Sequence, residues 1–340
     1  MNIEIKNITK KYEDFYALKN INLSVEDGEI LALLGSSGCG KTTLLRIIAG
    51  LIKQDEGSIY LDNADITNIS AQKRSTTMVF QNYALFPHMT VGENIAYGLK
   101  VRKIKNKTIK TKVKETLELV RLNGLENRKI QELSGGQKQR TALARALVVE
   151  PDVLLFDEPL SNLDEKLRLS MRQEIKRIQK ETNITSIYVT HDQKEALAIA
   201  DKIAVMNKGE VCQVGNIREV YFKPDNYFTA DFMGHPNIIK RKVNQSNANE
   251  KVRLLKEEVD VDTEKEMIYI LLRPEDIEIT DDGIEGKILR KEMIGSIIRY
   301  KVKIDDTFLY VDKLNKFESR EYNIGENIKL KYNKNSIHIF

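Results

Sequence analysis

The chain has 340 residues, 41% of them hydrophobic, and sets 54 basic against 50 acidic side chains for a formal net charge of +4. That length and near-balance suit folded structure with room for two domains, and exclude a disordered chain or one dominated by a charged tail. Two cysteines, Cys39 and Cys212, exclude a disulfide framework and a four-cysteine metal site and suit a reducing cytosol.

The N-terminal residues 1–6 alternate apolar and polar with no signal-peptide core. The longest apolar run, Met267–Leu272, is far short of the roughly 20 residues a membrane helix needs. Ile3, Ile5 and Ile8, then Ile21, Leu23 and Val25, alternate as half-buried strands do. Residues 29–34 form a tighter apolar run, expected as a strand buried on both faces, followed after Gly35 by a helix over 42–49 with Gly50 as its C-cap. Residues 88–150 read as mostly helical, with Val113, Leu117 and Val120 at helical spacing. Two more buried strands, 153–156 and 185–189, flank an amphipathic helix over 167–181. Such alternation predicts a layered α/β domain on a parallel sheet.

After His235-Pro236-Asn237 the helical period fades. Short strands are expected at Met267–Leu272, 286–289, Ile297–Ile304, 308–311 and 328–332, which predicts a small all-β domain, an OB-like barrel. The polar segment 244–251 reads as a loop inside it. The expected division is therefore 1–236 and 237–340. Residues 100–114 hold eight Lys or Arg and no acid; a solvated helix face is the plain reading, attraction to anionic lipid headgroups the sharper one.

Gly35-Ser36-Ser37-Gly38-Cys39-Gly40-Lys41-Thr42 fits the phosphate-binding pattern G-x-x-x-x-G-K-[ST], with Thr43 continuing the helix. Glycines allow the backbone to approach phosphate oxygens closely, and the helix N-terminus adds its positive dipole end. In that pattern Lys41 reaches the β- and γ-phosphates and the Thr42 hydroxyl helps hold Mg²⁺. The apolar strand 153–156 ends in Asp157-Glu158. Asp157 fits a carboxylate that holds Mg²⁺, and Glu158 a general base for the attacking water.

Between these lies Leu133-Ser134-Gly135-Gly136-Gln137, a second anion-binding helix start. With it the chain resembles the ABC ATPase family, whose signature is LSGGQ. The resemblance implies further roles. Tyr12 matches the aromatic residue that stacks on adenine, and Gln81 the Q-loop glutamine that senses Mg²⁺ and the water. Ser161-Asn162-Leu163-Asp164 resembles the D-loop, with Asn162 in place of the commoner alanine, and His191 matches the switch histidine. The signature faces nucleotide held by another subunit, so the resemblance implies a head-to-tail homodimer with two ATP molecules at its interface.

Tyr83-Ala84-Leu85-Phe86-Pro87-His88 and residues 90–94 resemble the importer branch that serves maltose, polyamines, sulfate and ferric iron. Leu272-Arg273-Pro274-Glu275-Asp276 and Met293-Ile294-Gly295-Ser296 resemble its TOBE domain. This implies a peripheral subunit on the cytoplasmic face of the membrane, docked by permease subunits near 81–86 through exposed Leu85 and Phe86. An extracytoplasmic solute-binding protein would be an indirect partner. The alternatives are a soluble member acting on ribosomes or DNA, with Tyr269, Tyr300, Phe308 and Tyr310 stacking bases rather than packing a core, and an exporter ATPase; no nucleic-acid partner is expected.

Overall fold

The structure, a computed structural model, describes residues 1–242, 250–255, 257–261 and 266–340. Its contacts divide the chain into two compact units, Met1–Ile217 and Arg218–Phe340.

The first unit opens with β1 (Ile3–Tyr12), β2 (Phe15–Val25) and β3 (Ile30–Gly35), then α1 (Lys41–Ile48), β4 (Glu56–Leu61), β5 (Ala64–Asp65) and β6 (Thr76–Val79). Three helices follow, α2 (Val91–Val101), α3 (Asn106–Leu119) and α4 (Gly135–Leu147). The unit closes with β7 (Val153–Asp157), α5 (Glu165–Thr182), β8 (Thr185–Thr190), α6 (Gln193–Ile199), β9 (Lys202–Asn207) and β10 (Glu210–Asn216). Two sheets result, an antiparallel one in the order β2-β1-β4-β5 and a six-stranded one in the order β10-β9-β3-β8-β7-β6. The latter is parallel apart from β10.

Every residue of β3, β7 and β8 is buried, as the unbroken apolar runs require of strands covered on both faces. Helix α1 contributes Leu44, Leu45, Ile47 and Ile48 to a core that also takes Ile3 and Ile5 from β1 and Leu31 and Leu33 from β3. The helix is thus clasped between the two sheets, and its N-terminus is fixed at the C-terminal edge of the parallel sheet. Caps fix the other helix starts. Thr90 and Glu93 form a reciprocal capping box at α2, Ser134 and Gln137 another at α4, and Asp164 caps α5.

The second unit carries α7 (Ile217–Phe222), from its second residue on, and α8 (Tyr227–Phe232). Its strands are β11 (Asn237–Lys242), β12 (Glu250–Leu254), β13 (Glu257–Val261), β14 (Met267–Leu272), β15 (Ile277–Thr280), β16 (Ile284–Ile294), β17 (Ile297–Ile304), β18 (Thr307–Leu314), β19 (Asn327–Tyr332) and β20 (His338–Ile339). The main sheet is antiparallel in the order β15-β19-β16-β17-β18; β11-β14-β20 form a second and β12-β13 a hairpin. The end strands β15 and β18 line one cleft of about 370 Å³. Asn237 joins the two sheets, exchanging hydrogen bonds with the Tyr310 backbone at 2.9 and 2.6 Å.

Strands 286–289 and 308–311 prove longer than their apolar cores, because exposed residues continue the ladders. Within the segment expected as a loop, Glu250 and Lys251 belong to β12 while 244–249 lie outside the described residues. Of Tyr269, Tyr300, Phe308 and Tyr310, Tyr300 is the one fully buried in this core. Tyr269 is half-buried and stacks with Phe340 at 5.7 Å. Core packing fails for Phe308 and Tyr310: alternation with buried Leu309 and Val311 turns both outward, beside the Lys301 ammonium.

Candidate functional site

The phosphate loop runs from the last residue of β3 into α1. Gly40, at the helix N-cap, has φ +105°, and a Cβ there would stand 2.5 Å from the Ala17 carbonyl oxygen. Only glycine fits that turn. Lys41 is 5% exposed and donates to the carbonyls of Gly35 (2.8 Å) and Ser36 (3.0 Å). The Thr42 hydroxyl donates to Asp157 Oδ1 at 3.0 Å, which joins α1 to the end of β7. Burial raises the Asp157 carboxyl above the usual range, against the Thr42 hydrogen bond and the charge of Arg46.

Glu158 follows with a left-handed φ of +45°, a strained conformation for a side-chain-bearing residue. Its N–H donates to the Val189 carbonyl at 3.1 Å, and its Oε2 lies 3.2 Å from His191 Nδ1. The backbone kink therefore turns Glu158 away from the buried strand and toward the loop after β8. That loop rests on a buried network: Thr190 donates to Glu195 Oε2 at 2.6 Å, Tyr188 donates to Glu195 Oε1, and Asp192 caps α6. Burial raises the Glu195 carboxyl as well.

A cleft of about 300 Å³ is lined by the loop residues Ser37 to Thr43, Glu158, Ala17 and two aromatic residues, Tyr12 and Phe15. The two rings are cross-strand partners at the β1–β2 turn, exposed by 46% and 61%. Phe15 was missed in the sequence; an aromatic residue on each side of the two-residue turn Glu13-Asp14 is the signal that marks it.

Gln81 lies two residues beyond the Val79–Phe156 pair of β6 and β7, in the exposed turn that follows β6. Its carbonyl accepts from Asn162 Nδ2 at 2.9 Å. The unusual D-loop residue thus ties that loop to the Q-loop, a contact alanine could not make. Tyr83 and Ala84 both take left-handed φ, +63° and +47°, and Arg145 of α4 holds their carbonyls at 3.0 and 2.6 Å. Arg145 was also missed; it is the lone cation in the alanine-rich run 142–146.

Leu85 and Phe86 are half-buried rather than exposed. Phe86 packs on Tyr97 at 4.5 Å beneath the Arg145 guanidinium, and Asn94 pairs with its backbone at 2.9 and 3.1 Å. Ser134, Gly135, Gly136 and Gln137 open α4 and do not line the cleft of their own chain. Nor does Asp164, whose carboxylate accepts from the Leu167 N–H at 2.9 Å. Within one chain, then, the fold brings together Tyr12, the phosphate loop, Asp157, Glu158 and His191, and leaves the signature apart.

Residues 18–161 match the family model "ABC transporter" and residues 270–340 the model "TOBE domain". Over 285 residues the chain is 47% identical to the Fe(3+) ions import ATP-binding protein FbpC of Escherichia coli (strain K12), covering 84% of this chain and 82% of that relative. The chain belongs to the ABC transporter family. This ABC chain is also 44% identical over 342 aligned positions to the spermidine/putrescine import ATP-binding protein PotA of Acetivibrio thermocellus, covering 99% and 96% of the two. Its fold matches the dimeric ATP-binding cassette MJ0796 bound to ADP and Pi, at TM-score 0.56 and 33% identity over 64% of this chain and 99% of that one. Cassette cbiO1 from Clostridium perfringens matches at TM-score 0.60 and 33% identity, over 64% and 89% of the two chains. The ABC ATPase fold, the C-terminal TOBE domain and the importer type expected from the motifs all stand.

Proposed function

We propose that this chain hydrolyses ATP as the motor subunit of an importer and that it works as a head-to-tail homodimer. The observation that carries the reading is the single edge where α1 begins and β7 and β8 end. There the phosphate loop, the Thr42–Asp157 pair and the Glu158–His191 pair converge.

Backbone N–H groups of residues 38–43 and the α1 dipole would cradle the phosphates, while Lys41 would exchange its loop carbonyls for β- and γ-phosphate oxygens. Tyr12, Phe15 or both would stack on the adenine. Thr42 Oγ1 and a buried carboxylate 3.0 Å apart are the oxygen donors Mg²⁺ prefers, and phosphate oxygens with the Gln81 side chain would complete the set. Bound Mg²⁺ would neutralise charge on the phosphoryl oxygens. Glu158 would take the proton of the attacking water as its oxygen bonds to the γ-phosphorus and ADP departs. His191 would orient that carboxylate and contact the γ-phosphate. Ser134, Gly135, Gly136, Gln137 and Asp164, absent from the cleft of their own chain, would close on nucleotide held by the second copy.

Permease subunits would dock near 81–86, where Arg145 fixes a strained turn that ties the docking region to the signature helix. Such placement implies a peripheral position on the cytoplasmic membrane face. Among the described residues no helix is long and apolar enough to cross a membrane. Relatives named for ferric ion and for spermidine/putrescine favour a cationic solute, delivered by a separate binding protein. Uptake of labelled ferric ion and labelled spermidine into vesicles bearing the complex would separate these two.

The deciding experiment is Glu158→Gln. Loss of general-base catalysis should lower the ATPase rate by at least about a hundredfold, with ATP affinity by calorimetry retained and a dimer appearing on ATP addition. A wild-type rate in that variant would overturn the assignment.

A further inference from the structure

The basic segment at the α2–α3 corner plays no part in the nucleotide site. Lys100, Arg102, Lys103, Lys105, Lys107, Lys110 and Lys114 are all exposed, and no acidic residue occurs between Glu93 and Glu115. Two members of the segment have structural partners: Arg102 donates to the Val149 carbonyl at 3.0 Å, and Lys112 pairs with Glu150 at 2.5 Å. The side chains of Lys103, Lys105, Lys107, Lys110 and Lys114 have no acidic partner among the described residues.

The local physics makes this arrangement costly. Lys105 is the N-cap of α3 without a side-chain cap hydrogen bond, and the first turn contains no acid. The lysines crowd the N-terminal half of the helix, while Glu115 and Glu118 stand in its C-terminal half. Apart from Lys114, each charge thus stands in the half of the helix whose dipole end repels it. A helix charged against its own dipole is where a local rule yields to an external partner. Lys107, Lys110 and Lys114 recur at i, i+3 and i+7, so they share one exposed face that leads back to the corner.

At the corner itself, Val101 and Ile104 are exposed by 63% and 38% among the cations. Aliphatic side chains within a basic cluster suit the boundary between headgroups and acyl chains. They do not suit single-stranded nucleic acid, whose sites interleave cations with aromatic rings on which bases stack, and residues 98–114 contain no aromatic residue. We infer that the α2–α3 corner of this chain binds the anionic headgroups of a phospholipid surface, with Val101 and Ile104 seated at the headgroup boundary.

The test uses the full chain without nucleotide or permease, so its failure is separate from any failure of the transport reading. Flotation with vesicles of phosphatidylcholine and phosphatidylglycerol in equal parts should carry the chain. Vesicles of phosphatidylcholine alone should not, nor should the mixed vesicles in about 1 M salt, where charges are screened within about 3 Å. Each basic residue near an anionic surface is worth roughly fivefold in partitioning. Lys103→Gln, Lys105→Gln and Lys107→Gln together should therefore weaken binding about a hundredfold. Their ATPase rate and Tm should be unchanged, since Lys105 and Lys107 oppose the α3 dipole while Lys103 lies just past the C-terminus of α2, where a cation is favoured. Val101→Ser with Ile104→Ser should weaken binding while leaving its salt dependence intact. Unchanged flotation of the triple variant, equal binding to neutral vesicles, or retention on RNA without binding to anionic vesicles would each overturn the inference.

Discussion

The two units hold their charged groups in different settings. In the nucleotide unit, polar groups at the C-terminal edge of the parallel sheet are held short of their best state: Asp157 is raised by burial, half-buried Glu158 sits on a strained backbone, and Lys41 leans on loop carbonyls. Gln139, fully buried in the signature helix α4, has no hydrogen-bond partner for either amide atom. In the β unit, Arg299 is matched in full, and Arg273 is held through its terminal nitrogens while its Nε has no hydrogen-bond partner. Arg273, 1% exposed, donates to the Met233 and Tyr221 carbonyls and stacks 4.0 Å over the Tyr221 ring. The Tyr221 hydroxyl in turn donates to Glu275, and burial followed by that hydrogen bond pushes its pKa up to about 12. Arg299 and Asp312 pair through two bonds of 2.7 Å across β17 and β18. Backbone strain and a carboxyl raised by burial thus gather beside the phosphate loop, whereas Arg299 and Asp312 of the β unit form a satisfied pair.

That contrast can be broken by cutting the satisfied pairs. The largest stability effect is expected from Arg273→Met, which strands two buried carbonyls and frees α7 and α8 from the strands of the β unit. The cost should be about 3 kcal/mol, read as a lower urea midpoint by circular dichroism; an unchanged midpoint would show that Arg273 is not the clamp.

A second probe sharpens the comparison, because the nucleotide unit also has a matched charge away from its edge. Glu174 of α5 receives Arg177 at 2.9 Å and stands 3.8 Å from Arg121. Burial pushes its carboxyl up, but the Arg177 hydrogen bond and the charges of Arg177, Arg140 and Arg121 outweigh burial and leave it below the usual value. A carboxyl that titrates lower when folded contributes fully at neutral pH and loses that contribution as pH falls through its folded value. Glu174→Gln should cost about 2 kcal/mol at pH 7, and the gap to wild type should close below the ordinary carboxylate value of 4.5. A gap independent of pH would mean packing, not charge, is what Glu174 supplies. The smallest effect, about 1 kcal/mol, is expected from Arg299→Lys, which leaves one of two parallel bonds and should lower Tm slightly.

Sequence alone determined what period and fixed motif spacing encode. The buried strands appear as unbroken apolar runs, the helix after the phosphate loop is set by its glycines, and Asp157-Glu158 closes an apolar strand. The short strands β5 and β20 and the helices α7 and α8 carry too few residues for a period to show. Tertiary structure alone decided which side chains meet. Phe15 reaches the cleft because it pairs with Tyr12 across a turn, Arg145 reaches the Q-loop because α4 packs beside it, and Asn162 reaches Gln81 across 81 positions of chain. The same holds for the half-burial of Leu85 and Phe86, set by Tyr97, Asn94 and Arg145. The physical reason is range: propensity and period act between neighbours in sequence, whereas hydrogen bonds and burial act between neighbours in space.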